Sequence, residues 1–186
     1  MKYISVKAVP FPKKHLPDIL KKYAIYTNAY AEKYFAHPEF HTDCFPNEVQ
    51  IVITSLQELG FRQGATLKEI SEVLPGFLLK PCPASTGLFL RIAWKKQEQS
   101  SNSVLTGTHQ APDQAVTVFS QVLEADDTFP KGLYLRNVDG KLWLRGYICD
   151  KDYRWSGSDL FAFEKFGFSN VSLDNTSAIQ TLPGHC

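Results

Sequence analysis

The stretch GLYLRNVDGKLWLRGYI, residues 132–148, constrains the fold of this 186-residue chain more than any other. Two alternating runs flank Asp139-Gly140, a dipeptide that readily takes the positive φ angles of a type I′ turn, so a two-residue β-hairpin is predicted. Counting outward pairs Val138 with Lys141, Asn137 with Leu142, Arg136 with Trp143, Leu135 with Leu144 and Tyr134 with Arg145. Side chains alternate between the faces of a sheet. One face therefore carries Leu135, Leu142 and Leu144, and the other carries Tyr134, Arg136, Trp143, Arg145 and, one step on, Tyr147.

The rest of the chain divides by period. Residues 2–9 alternate and end at Pro10-Phe11-Pro12, which predicts a short strand, an edge by its proline boundary. From Leu16 to Phe35 the apolar and aromatic positions recur at helical spacing, with Pro17 in the first turn, so one long helix is expected. A second helix is expected from Pro46, with Val49, Val52, Ile53, Leu56 and Leu59 on one face and Gly60 as its stop. A third follows the capping box Thr66-x-x-Glu69 and ends at Pro75-Gly76. Beyond that the period falls to two at Leu88, Leu90, Ile92 and Trp94, which reads as a strand. Gln97 to Pro112 reads as a loop, Val116 to Ser120 as a strand, Asp126 to Pro130 as a turn and SDLFAFEKF as the last strand.

Helices first and strands later argue for a segregated α+β fold. The expectation is about three N-terminal helices packed on a mainly antiparallel sheet formed largely by the C-terminal half. Residues 1–168 would form this single domain, and 169–186 a polar, weakly anchored tail.

Charge and cysteine usage restrict the partners. Twenty basic residues against nineteen acidic ones leave a net charge of +1. No long-range field then attracts nucleic acid or an anionic membrane, and such binding must come from a local patch. No segment approaches the roughly 20 apolar residues that span a bilayer, and MKYISVKAVPFPKK lacks the apolar centre of a signal peptide. Cys44, Cys82, Cys149 and Cys186 show no C-x2-C pairing, so free thiols and a cytoplasmic setting without a membrane partner are expected.

The non-leucine face of the hairpin is the leading site. Arg136 opposite Trp143 and Tyr134 opposite Arg145 can lay guanidinium groups over rings, and Arg154 and Trp155 follow within ten residues. Interleaved arginine and aromatic side chains are what stacking of single-stranded bases with phosphate neutralisation requires, although a plain solvent face of a sheet would carry the same pairs. Tyr134, Arg136, Trp143, Arg145, Arg154 and Trp155 are accordingly the expected partner-binding residues.

Other clusters have ordinary explanations. HPEFHTDC places His37, Glu39, His41, Asp43 and Cys44 together, and His37, His41 and Cys44 have a spacing zinc could use, but a solvated loop accounts for them and no cofactor is assigned. Cys82 between two prolines, near Lys80, could be a displayed thiol, but no histidine or acid can be set beside it. Ser156-Gly157-Ser158 could form an anion nest or simply a turn. Tyr23, Tyr26, Tyr30 and Tyr34 stripe the first expected helix and are assigned to core packing.

The functional expectation is a non-enzymatic binding or accessory protein that engages a macromolecular partner, a protein or single-stranded nucleic acid, through the Arg/aromatic sheet face. The competing class is a small enzyme in which Arg136, Arg145 or Arg154 holds an anionic substrate and His41 or Cys82 supplies proton or nucleophile chemistry.

Overall fold

The turn at Asp139-Gly140 forms with φ angles of 51° and 73° at the two residues. It joins two strands whose register is the one counted from the sequence, from Gly132 opposite Tyr147 to Val138 opposite Lys141. The structure is a computed structural model and describes residues 1–101 and 111–167. The tail expected over 169–186, and most of the loop expected between Gln97 and Pro112, lie outside the described residues.

Four short helices and eight strands make up the described chain. In order they are β1 (Lys2–Lys7), α1 (Leu16–Lys22), β2 (Ile25–Tyr26), α2 (Ala29–Ala36), β3 (Glu48–Ser55), α3 (Leu67–Val73), β4 (Leu79–Lys80), α4 (Thr86–Ala93), β5 (Val116–Val118), β6 (Gly132–Val138), β7 (Lys141–Tyr147) and β8 (Leu160–Lys165). The sheet runs β1-β3-β8-β5-β6-β7-β2, with β4 also paired to β8. It is mixed, since β5–β8 and β2–β7 are parallel pairs.

This overturns the expected fold class. Strands dominate, and half of them come from the N-terminal half, so the sheet is neither C-terminal nor covered by three N-terminal helices. The helix expected from Pro46 is the inner strand β3, followed by a 3-10 turn over Leu56–Leu59 that Gly60 ends at φ 98°. Its β-branched run Val49, Ile51, Val52, Ile53 and Thr54 suits a pleated surface. Because both faces from Val52 to Ser55 are buried, no alternation betrays a strand, and the spacing mimics a helix. The long helix expected over residues 16–35 is two helices. Ala24 takes φ 51°, Ile25 and Tyr26 pair with β7, and Asn28 caps α2 by accepting from the Ala31 N–H at 3.0 Å.

The strand expected at 88–94 is instead α4, buried from Thr86 through Arg91. This helix touches β1 as well as β6 and β7. In a flat sheet β1 and β7 would stand roughly 24 Å apart at the usual strand spacing. An eight-residue helix is only about 12 Å long. The sheet therefore curls into a half-barrel around α4, which explains why the helix has no polar face for the sequence to display. Gly87 permits the approach, because a Cβ there would lie 3.0 Å from Leu133.

The concave core joins Val6, Ile51, Ile53, Leu88, Leu90, Leu133, Leu135 and Leu144. Each such buried aliphatic side chain contributes roughly 1.5–3 kcal/mol. A second core on the convex face gathers Val52, Leu56, Ile70, Leu74, Trp155, Phe161 and Phe163 under α3 and the 56–65 segment. The capping box of α3 forms as expected, with the Thr66 N–H donating to Glu69 at 2.7 Å and the Glu69 N–H donating to the Thr66 hydroxyl at 3.2 Å. Among the described residues, no helix is long and apolar enough to cross a membrane.

Candidate functional site

The convex face of the β6–β7 hairpin carries Tyr134, Arg136, Trp143, Arg145 and Tyr147, as the register requires. The face is covered to different degrees along its length. Arg136 is only 1% exposed, and its Nε donates to the Ser100 hydroxyl at 3.0 Å. Residues 97–100 lie along β6 past the end of β5, with Gln97 donating to the Leu135 carbonyl at 3.1 Å and the Ser100 N–H to the Asn137 carbonyl at 2.9 Å. That segment buries Arg136. Burial pulls the guanidinium pKa down, so the group belongs to the interior and not to an open surface.

Toward the β2 edge the face opens. The parallel pairing of β2 with β7 sets Tyr26 beside Trp143, with ring centroids 5.3 Å apart. Lys141 lies over Tyr26 at 5.6 Å, and the Arg145 guanidinium over Trp143 at 5.3 Å. Tyr26 is 42% exposed, whereas Trp143 and Arg145 are half-buried. Neither Lys141 nor Arg145 has an acidic partner among the described residues. Lys141, Tyr26, Trp143 and Arg145 thus form one continuous track, two adjacent rings with a cation at either end.

At its other end the track reaches a pocket of about 160 Å³, lined by Tyr134, Tyr147, Tyr153 and Trp155 over Thr117. Burial raises the phenol pKa of all three tyrosines, and at Tyr134 the neighbouring Arg145 and Arg136 partly oppose it. Trp155 is 6% exposed and makes edge contacts with Tyr147, Tyr153 and Phe161. Tyr134 and Trp155 therefore meet here as pocket walls, and not as exposed residues.

Arg154 stands apart from the hairpin. It donates to Glu69 at 3.0 Å and to the Gly64 carbonyl at 2.8 Å, fastening the loop before Trp155 to the start of α3. Sequence reasoning missed Lys141, Tyr26 and Tyr153. The counted register already put Lys141 opposite Val138 on the convex face, so that residue was legible, whereas Tyr26 was hidden inside the expected long helix.

The remaining candidates are placed as follows. His37 has both ring nitrogens engaged, Nδ1 by the Glu39 N–H at 3.1 Å and Nε2 near Glu124 at 3.3 Å. His41, Glu39 and Cys44 line a pocket of about 160 Å³ with Ser85. Among the described residues no three potential metal ligands converge. Cys82 and Cys149 are free and buried. The Cys82 thiol donates to the Ala162 carbonyl at 3.6 Å, and burial pushes its pKa up, away from the thiolate a nucleophile needs. No hydrogen bond joins His41 to Cys82 or Ser85. In the Ser156-Gly157-Ser158 turn the Asp159 carboxylate accepts from the Ser156 N–H at 2.8 Å, so the turn supplies its own anion. The expected tyrosine stripe is split, with Tyr34 in the core and Tyr26 and Tyr30 exposed.

No protein-family model, curated protein or solved structure matches this chain.

Proposed function

We propose that the protein is a non-enzymatic binding protein that holds single-stranded nucleic acid along the convex face of the β6–β7 hairpin. The observation that carries this reading is the track Lys141, Tyr26, Trp143 and Arg145, in which cations without acidic partners lie over accessible rings. Rings offer stacking area to any base, and each cation can neutralise a phosphate. A duplex keeps its bases stacked on one another and offers the rings little. The enzyme reading lacks comparable support, because Cys82 is buried and hydrogen-bonded away from His41.

With a net charge of +1 the affinity is modest and strongly salt-dependent, since no wider field assists the patch. The test is a titration of the protein with a labelled single-stranded oligonucleotide at low salt, read by anisotropy and by tryptophan fluorescence. Saturable binding that weakens steeply with salt is expected, with the matching duplex bound more weakly. Absence of binding at low salt overturns the assignment and leaves a protein as the occupant of this face.

A further inference from the structure

The sheet ends in β1 at one side and β2 at the other. β2 is two residues long, whereas β1 runs six residues from Lys2 to Lys7 in unbroken antiparallel register with β3. Ala8 fixes the hydrogen-bond phase of that pairing, because its N–H donates to the Asn47 carbonyl at 2.9 Å, its partner in the same register. Hydrogen-bonded pairs alternate with non-hydrogen-bonded ones along an antiparallel ladder. Lys2, Ile4 and Val6 therefore turn their backbone groups toward β3, and Tyr3, Ser5 and Lys7 turn theirs away from the sheet. No other described segment takes up those outward groups.

Free edges are usually protected by a proline, a bulge or charged side chains. β1 contains no proline and no bulge, and a lysine at each end is its one defence. A second β1 laid antiparallel answers this edge. Only the outward-turned residues can exchange hydrogen bonds across it, so Tyr3, Ser5 and Lys7 must meet the same three residues of the other copy. One register engages all three, with Tyr3 opposite Lys7, Ser5 opposite Ser5 and Lys7 opposite Tyr3. A shift of two residues either way sets one of the three against a residue outside the strand. In this register no lysine meets a lysine. Lys7 lies beside the Tyr3 ring, which is 59% exposed, and Lys2 falls opposite Ala8. Lysine against an aromatic ring is an attractive cross-strand pair, and Ile4 faces Val6 on the other side of the ladder.

We infer that the free edge of β1 is the docking surface for a second copy of this chain, the two β1 strands pairing antiparallel about a two-fold axis at Ser5. The sheet then runs continuously through both copies. A ladder this short covers well below the roughly 800 Å² per partner of stable complexes, so the dimer forms at high protein concentration.

Sedimentation velocity of the full chain, from micromolar to millimolar concentration, should show a reversible monomer–dimer equilibrium. Ser5→Pro removes an N–H that β3 does not use, at the kind of edge position where proline is tolerated, and should abolish the dimer. Tyr3→Lys, at an exposed position, sets lysine against Lys7 at both ends of the ladder and should weaken association about tenfold. Adding Lys7→Glu to Tyr3→Lys should restore it. Cross-linking reads the register. With Ser5→Cys the two introduced thiols sit on residues whose Cα atoms are about 5.5 Å apart, within disulfide reach, so oxidation should trap a dimer faster than in wild type or Lys7→Cys. Circular dichroism checks that each variant is folded. A chain that stays monomeric to millimolar concentration overturns the inference. So does association that survives Ser5→Pro, or that Lys7→Glu fails to rescue, or cross-linking no faster through Ser5→Cys than through Lys7→Cys.

Discussion

The Asn28 side chain grips both backbone polar groups of Gly146, its Oδ1 accepting from the Gly146 N–H at 2.8 Å and its Nδ2 donating to the Gly146 carbonyl at 3.1 Å. The same Oδ1 caps α2. One side chain thus imitates a strand residue beside β7 and starts a helix, and it fixes how β2, with Tyr26, lies against Trp143. Gly146 must lack a side chain for this, because a Cβ would lie 2.5 Å from the Tyr30 carbonyl carbon and 2.6 Å from the Ala31 nitrogen.

Asn28→Ala should therefore cost about 2–3 kcal/mol, the loss of a cap plus two backbone groups left without partners. Asn28→Asp keeps the acceptor and should cost less. Gly146→Ala, whose Cβ would run into the Tyr30–Ala31 peptide, should cost about 3 kcal/mol or more. Urea unfolding of the three variants checks the order, and an Asn28→Ala variant as stable as wild type would remove the double role.

How much of this was legible depends on whether a segment has a polar side. The hairpin has a buried leucine face and a mixed Arg/aromatic face, so its register could be counted to the residue. The capping box at Thr66 and Glu69 is local chemistry and was equally plain. β3 from Val52 to Ser55 and α4 from Thr86 to Arg91 are buried on all sides, and a segment with no polar face can show apolar spacing that mimics the wrong period. Residues 16–35 failed for a different reason, since the break at Ala24 and Asn28 is set by pairing with β7, more than a hundred positions away. The same distance hid the candidate site. Arg136 looked exposed because nothing in the sequence says that residues 97–100 lie against β6, and Tyr26 looked like a helix residue.

A cation and a ring of the track should behave differently when single-stranded oligonucleotide is bound. Arg145→Ala removes one phosphate-neutralising charge and should lower the slope of log K against log salt by about one. Trp143→Ala removes stacking area and should cost roughly 1–3 kcal/mol with little change of slope. Titrations at four or five salt concentrations separate the two effects, and an identical change of slope in both variants would contradict their assigned roles.

Arg154 provides an internal control, because it is tied to Glu69 and lies off the track. Arg154→Ala should leave oligonucleotide affinity and salt slope unchanged. Its pair with Glu69 is solvent-exposed and screened, so the stability cost should be small. Thr66→Ala should cost about 1 kcal/mol through the lost cap of α3. An Arg154→Ala variant that lost a full counterion from the slope would put this residue back on the binding face.

Asp159 should give the fold a pH dependence opposite in sign to that of most carboxylates. It is 8% exposed, and burial raises its pKa above the ordinary 3.8 more than the hydrogen bond from the Ser156 N–H lowers it. The folded protein therefore holds the proton more tightly than the unfolded chain does. Stability contributed by this group is present at low pH, falls as pH rises from about 3.8 through the raised folded value, and stays lost at neutral pH. Asp159→Asn keeps a carbonyl acceptor for the Ser156 N–H and carries no charge. The variant should be the more stable protein at pH 7, and the difference should close as pH falls toward 3. Urea midpoints for both proteins across that range read the difference directly, and a gap that stayed constant from pH 3 to pH 7 would show that ionisation of Asp159 is not its cause.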